Sequence, residues 1–432
     1  MLNLIDRIFG LKANGTTVKR ELLAGLIGFF TVVYIIAVNG LILSEAGMPI
    51  EAAIVATIAA SVFGCLIMGF WGNVPILLVP GMGINALFSY TMVQSMGLSW
   101  QEALAVVFVS GVIFVFIAFT PFSEMLNAAV PQSLKEAITV GLGLFLMLIG
   151  LEKGGIVEKG TSSILALGSF GEPQVLATIL TFLVAIVLFI RNVPGNFLIT
   201  IVVGTVIASF FGLIDFNQSE SGSFGVTEAF QSFGALSFDN FWSMTFWIAV
   251  FSLTMVIVFE NIGIVHGQVS FINRTDRFSR AFQANSVSAM TSGIFGTSPT
   301  VAAVESGAGM AAGGRTGLTT VIAGLLFLVA AFFIPVIKLI PDSAIAPILI
   351  IIGSLMLQNI RNLELKDLSE SFPALFIVAM IPFTYSIADG IAIGFILYPI
   401  LKIAIGKWRE VSPTLYVIAG LFLMNFVFHV VA

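Results

Sequence analysis

The sequence is short of charge. Lys, Arg, Asp and Glu make up 9% of its 432 residues, against roughly 25% in a soluble domain, which excludes an ordinary soluble protein. Cysteine is nearly absent. The one cysteine, Cys65, lies in an apolar run, has no partner for an intrachain disulfide, says nothing of redox compartment, and reads as a small buried hydrophobe. With 18 Lys and Arg and no basic patch, nucleic-acid binding has no support. No GxxxxGK[ST] loop is present, so ATP-driven transport has no signature in this chain. No Cys/His cluster has metal-ligand spacing, and no metal or cofactor is expected. The first residues lack the continuous apolar core and small-residue cleavage site of a signal peptide. Residues 2–12 instead suit a short amphipathic helix on a membrane surface.

What the chain has in abundance is hydrophobic residues, 58% of the total. They come in blocks of about 15 to 23, and about 20 apolar residues cross a bilayer core as a helix. The chain therefore reads as an all-α polytopic membrane protein. Cutting at charges and Pro/Gly clusters gives segments at 21–43, 50–70, 75–96, 102–121, 135–151, 175–190, 197–213, 244–264, 281–296, 300–312, 317–336, 344–359, 371–386, 388–405 and 412–430. The longest polar break, 214–240, carries Asp215, Glu220, Glu228 and Asp239 without a Lys or Arg. It divides the first fourteen segments into two sevens. Val130-Pro131-Gln132-Ser133 matches Ile340-Pro341-Asp342-Ser343 at an offset of 210, and Gly143 then falls on Gly353. An odd number of crossings per repeat turns the halves opposite ways, the inverted-repeat plan of many secondary transporters. Segment 412–430 stands outside the 7+7 plan, as a fifteenth crossing or a peripheral helix.

Basic residues set orientation. With the N-terminus (1–20) cytoplasmic, 15 of the 18 Lys and Arg fall on the cytoplasmic side, leaving Lys153, Lys159 and Lys338 outside together with the acidic 214–240 loop. All five tryptophans lie near segment ends, as an interfacial belt requires. His266, followed by Arg274, Arg277 and Arg280, is assigned to a cytoplasmic loop, and Asp389 and Lys402 to the membrane interface.

Two segments are poor spanning helices, the third of each half. Pro75, Pro80, Gly81 and Gly83 interrupt the first before a half-helix from Ile84 to Val93, and Gly296-Thr-Ser-Pro299 precedes a half-helix from Thr300 to Met310 in the second. Non-helical backbone at bilayer depth must be buried in protein or line a wet cavity. Two half-helix N-termini meeting near the midplane offer N–H donors and positive dipole ends to a ligand; the alternative is two kinked, packed helices. Glu305 lies inside the second half-helix and Glu260 near the end of the eighth segment, neither with a Lys or Arg close in sequence. A carboxylate at membrane depth is costly, so its default reading is functional. Such a pair suits both hydrogen bonding of a polar solute and proton carriage, the alternative being acids that reach interfacial water. Asn85, in the first half-helix, either holds the backbone of the broken segment or touches the ligand.

At Val79-Pro-Gly-Met-Gly-Ile-Asn85-Ala86 and along Gly296 to Thr319 around Glu305, the chain resembles the nucleobase permeases of the nucleobase/ascorbate transporter superfamily, in particular the AzgA-like adenine, guanine and hypoxanthine branch. The resemblance implies fourteen helices in a 7+7 inverted repeat. It implies a core domain (21–121 and 244–336) and a gate domain (135–213 and 344–405), with short strands leading into half-helices 3 and 10. It also implies proton-coupled symport of purine nucleobases in the cell (inner) membrane, with no enzymatic activity, and a homodimer. Carried over residue by residue, Glu260 and Glu305 bind the base and take part in proton coupling, and Asn85, Ala86, Val304 and Ser306 contribute to the substrate site. Glu260-Asn261 stands where that branch has Asp-Thr, and Ile264 where uracil permeases have histidine. An anion or carboxylate transporter of the same architecture is the alternative function, disfavoured by two acids at the site; an intramembrane enzyme is a more distant one.

Overall fold

A computed structural model describes residues 2–121, 129–160, 163–214 and 229–431. The helices are α1 (Leu2–Phe9), α2 (Val18–Val32), α3 (Ile35–Ser44), α4 (Ile50–Ile67), α5 (Met82–Ala86), α6 (Trp100–Phe119), α7 (Gln132–Lys153), α8 (Pro173–Ile190) and α9 (Asn196–Phe210) in the first half. In the second half they are α10 (Met244–Phe271), α11 (Phe278–Phe295), α12 (Ser306–Ala311), α13 (Gly317–Ala330), α14 (Ile334–Ile337), α15 (Asp342–Leu357), α16 (Leu368–Thr384), α17 (Ile387–Ala404) and α18 (Pro413–Val431). Four short strands are β1 (Leu78–Pro80), β2 (Val157–Lys159), β3 (Leu165–Leu167) and β4 (Thr300–Ala302).

Among the described residues, nine helical stretches are long and apolar enough to cross a membrane; Asn196–Phe210, Leu368–Thr384 and Pro413–Met424 are apolar but shorter. Large apolar side chains such as Leu180, Leu183 and Val187 on α8 or Leu325, Leu328 and Phe332 near α13 point outward, where a bilayer rather than water suits them. The protein is a multi-pass membrane protein.

Packing sorts the helices into two bundles. In the first, α2 lies on α12 and α13, α4 on α3, α11 and α13, and α6 on α10 and α11; in the second, α7 lies on α15 and α16, α15 on α8 and α9, and α16 on α17. Buried carboxylate chemistry ties the first bundle. Glu21, in the first turn of α2, accepts hydrogen bonds from the amides of Arg315, Thr316 and Thr319 and from the Thr319 hydroxyl at 2.7 Å. An anion thus covers the unpaired N–H groups at the start of α13. At the N-terminus, α1 buries Phe9, which with Leu11 packs against Leu318 and Val321 of α13.

The two broken segments are where sequence and structure meet most directly. Prolines deprive the chain of donors, so it leaves α4 through a π-turn (Met68–Gly72), runs extended as β1, and re-enters helix as α5, which widens into a π-helix (Leu87–Ser95). In the other half, Gly296 ends α11 at φ +86, a left-handed conformation glycine adopts without penalty, and the chain runs extended as β4. The strands pair antiparallel, Leu78 opposite Ala302, Val79 opposite Val301 and Pro80 opposite Thr300. The Ala303 amide donates to the Leu77 carbonyl at 2.9 Å and the Gly81 amide to the Pro299 carbonyl at 3.3 Å. Each broken segment supplies the hydrogen bonds that lipid would deny the other. The expected half-helix from Thr300 to Met310 is corrected here: residues 300–302 are strand, α12 starts only at Ser306, and Glu305 occupies its N-cap.

α18 packs on the bundles through Phe422, whose ring lies 5.1 Å from that of Phe251 in α10 and 6.0 Å from that of Phe395 in α17.

Candidate functional site

A cavity of about 1340 Å³ lies between the two bundles. One wall comes from the crossing of the broken segments, Val79 to Gly83 and Val301 to Glu305, together with Tyr34 and with Glu260, Gly263 and His266 of α10. The opposite wall comes from Lys135, Glu136 and Thr139 of α7, from Asn192, Val193 and Pro194 between α8 and α9, from Asn196 and Phe197 at the start of α9, from Met356 in the last turn of α15 and from Asn359 just beyond it.

Glu305 is placed by the turn that leaves β4. Its Oε1 accepts a hydrogen bond from the Tyr34 hydroxyl at 2.7 Å, and the Val304 side chain beside it is 68% exposed, projecting into the open space. Glu260 faces the same cavity from α10, and its buried Oε2 has no hydrogen-bond partner among the described residues. A buried, unsatisfied oxygen is costly when empty and favourable when a ligand donates to it. The site thus offers two carboxyl groups on an otherwise largely apolar wall, a surface suited to a small flat solute with N–H donors.

The scaffold behind these acids is polar, though Asn285 Oδ1 and Gln268 Oε1 have no hydrogen-bond partner among the described residues. Asn261, next to Glu260, turns away from the cavity; its Oδ1 accepts from the Ala302 amide at 3.0 Å and from Asn285 Nδ2 at 2.5 Å. Gln268 Nε2 donates to the Ala303 carbonyl at 2.7 Å. Together they fasten β4, and therefore Glu305, to α10.

Asn85 lies behind the cavity lining, not on it. Its side chain is fully buried, its Oδ1 accepts from the Ser298 hydroxyl at 2.6 Å, and Ser298 donates also to Asn39. Ser306 accepts from the Leu77 amide at 2.9 Å, holding β1. The structure thus brings Glu260, Val304 and Glu305 into one cavity, whereas Asn85, Ala86 and Ser306 are buried behind its lining.

Other expectations shift. His266 is on the helix rather than in a loop, lines the cavity, and stands edge-on to Phe278 with centroids 5.7 Å apart. α10 simply continues past the point where its hydrophobic run stops. Lys402, in the last turn of α17, is buried, 2.8 Å from Glu370 and 3.0 Å from Glu410. Cys65 is buried as expected, with Sγ 3.6 Å from the Leu78 carbonyl. Tyr34 and Gln268 were missed because they lie far in sequence from the residues they hold.

A family profile described as "Permease family" (Xan_ur_permease) matches residues 19–393, nearly the whole described site and both bundles. The chain belongs to this family. The resemblance read from the segment around Glu305 is therefore sound. The permease is 51% identical over 382 residues to the nucleobase transporter PlAzg2 of Paenibacillus larvae, a match covering 88% of this chain and 76% of the relative. It is 38% identical over 433 residues to the guanine/hypoxanthine permease PbuO of Bacillus subtilis (97% and 99% covered). It is 34% identical over 431 residues to the adenine permease AdeP of Escherichia coli (98% and 96%). These relatives are transporters and permeases, not enzymes. Among solved structures, the transmembrane domain of the cyanobacterial bicarbonate transporter BicA superposes with a TM-score of 0.68 at 14% identity, covering 86% of this permease and 96% of that chain. At that identity the likeness concerns the fold, an inverted-repeat transporter fold.

Proposed function

We propose that this permease is a proton-coupled symporter that imports purine nucleobases, namely hypoxanthine, guanine and adenine, across the cell (inner) membrane. The observation that carries the reading is the convergence of Glu260 and Glu305 in one cavity at the crossing of β1 and β4. Purines present N–H donors and ring acceptors along their edges, and a pair of carboxyl groups that exchange protons matches both the donors and the coupling. The names of the relatives, PlAzg2, PbuO and AdeP, point to the same substrates.

In this reading the first bundle is the core, 21–121 with 244–336, and the second the gate, 135–213 with 344–405. Substrate binds at Glu260, Glu305 and Val304, with Asn85, Ala86 and Ser306 supporting the broken segments that present them. The cavity reaches the ends of the helices that carry Lys135, Asn192, His266 and Asn359, which the positive-inside rule assigns to the cytoplasm along with the N-terminus. On the opposite side the bundles are drawn together. Lys153 of α7 pairs with Glu45 at the end of α3 and with Asp342 at 3.2 Å, and the Ile387 amide donates to Thr91 Oγ1 at 3.1 Å. A site open on one side and closed on the other supports alternating access by movement of core against gate. Glu260 and Glu305 beside the crossing of β1 and β4 disfavour an anion as cargo there. A homodimer fits the same reading.

The test is uptake of labelled hypoxanthine, guanine and adenine into proteoliposomes under an imposed proton gradient. Import that depends on the gradient and is lost in Glu305→Gln is the expected result; gradient-independent import, or import unchanged in Glu305→Gln, refutes it.

A further inference from the structure

Tyr34 occupies the two-residue interruption between α2 and α3, on the cavity wall, and is 4% exposed as a residue. Its hydroxyl donates to Glu305 Oε1 at 2.7 Å. On its other side the ring meets the edge of Phe197 at the start of α9, centroids 5.0 Å apart. Phe197 is in turn stacked on Phe189 of α8, centroids 6.2 Å apart and planes 16° from parallel. Tyr34 thus touches both bundles, the first through its hydroxyl and the second through its ring.

We infer that Tyr34 is a positioning residue for Glu305, holding Oε1 so that the carboxyl plane and Oε2 are set for the substrate, with Phe197 fixing the ring that does so. This deepens the purine-site reading and rests on it. A carboxyl group at the end of a two-carbon side chain rotates freely about its last bond unless something holds it. A hydrogen bond to a charged or polarised acceptor is strong enough to select one orientation, and a buried phenol pays little conformational entropy to provide it. Because Tyr34 and Glu305 belong to the same bundle, their bond survives a displacement of one bundle against the other. The contact with Phe197 does not. Tyr34 is therefore the side chain through which the position of α9 reaches the substrate carboxyl.

The experiment compares wild type, Tyr34→Phe, Phe197→Leu and Glu305→Gln in proteoliposomes loaded for hypoxanthine uptake, with substrate-induced infrared difference spectra of the same proteins. Tyr34→Phe is expected to raise KM about tenfold, the effect of losing one hydrogen bond to a carboxyl group, with Vmax changed less than twofold. The carboxyl band that Glu305→Gln abolishes should shift in Tyr34→Phe and, more weakly, in Phe197→Leu. A purely structural tyrosine would leave that band where it is. Unchanged KM and an unshifted band in Tyr34→Phe, with Glu305→Gln impaired, overturn the positioning role while the purine site stands. Unimpaired uptake in Glu305→Gln overturns the site reading itself. If Tyr34→Phe fails to fold, the Glu305 band in Phe197→Leu decides: a shift supports the inference and an unshifted band refutes it.

Discussion

Gly143 of α7 and Gly353 of α15 meet backbone to backbone. A Cβ added to Gly143 would lie 2.7 Å from the Gly353 carbonyl oxygen, and one added to Gly353 would run into the Gly143 carbonyl. The two residues are 210 positions apart, the offset that also relates Pro131 to Pro341, and each of those prolines precedes the helix that carries its glycine. Two repeat-related residues that touch each other mark a point on the pseudo-two-fold axis. The two broken segments, the third of each half, likewise meet, as the antiparallel pair of Val79 with Val301.

Alanine at either glycine is expected to force α7 and α15 apart. Overpacking of this kind costs about 1–3 kcal/mol, so Gly143→Ala and Gly353→Ala should each lower the melting temperature of the detergent-purified protein. Because the two sites share one contact, the double variant should be destabilised by less than the sum. Full additivity would argue against a shared crossing.

Glu260→Gln is expected to weaken purine binding by about 10- to 100-fold, the equivalent of a hydrogen bond to a charged group. The melting temperature should hold, because Glu260 Oε2 has no hydrogen-bond partner among the described residues to lose. Binding by calorimetry and melting by differential scanning fluorimetry separate the two. A large loss of stability with unaltered affinity would show the residue to be structural.

Asn261→Ala has the opposite signature. It removes the acceptor of the Ala302 amide and of Asn285, and stranding buried donors costs about 1–3 kcal/mol. Stability should fall, and affinity with it, as β4 loosens and Glu305 loses its fixed position. Asn261→Ala with wild-type melting would contradict this role.

On the closed side, Lys153→Glu is expected to set Lys153's partners Glu45 and Asp342 against a third acid. Like charges at that contact favour separation of the bundles. Tyr90, whose hydroxyl lies 2.8 Å from Glu45, is the reporter: in a Tyr90→Cys background, labelling by an impermeant maleimide from outside should rise severalfold. Adding Glu45→Lys should reverse part of the rise. Labelling that ignores both charges would remove this contact from the closing mechanism.

A reporter inserted in 214–240 should be exposed outside the cell, as the charge distribution requires. Cytoplasmic exposure would invert the proposed orientation and, with it, the side to which the cavity opens.

Much of this molecule is legible in one dimension because the bilayer removes alternatives. A stretch of twenty apolar residues has only the helix available to it in lipid, so segments such as 102–121 and 244–264 follow from composition. Prolines 75, 80 and 299, each close to a glycine or another proline, mark the broken segments, whereas Pro347, Pro373, Pro382 and Pro399 stay inside helices. A carboxyl group in such surroundings is conspicuous, so Glu260 and Glu305 stood out from composition alone. What tertiary structure decided is which side of each broken segment faces space. Asn85 and Glu305 look alike in sequence, each a polar residue after a Pro/Gly break, yet one is locked to Ser298 and the other opens to the cavity. Tyr34 carries no mark at all until a residue 271 positions away arrives beside it. Hydrophobicity is a local property, so sequence reports it. The partner of a hydrogen bond is set by how helices cross, and only the folded chain brings those crossings together.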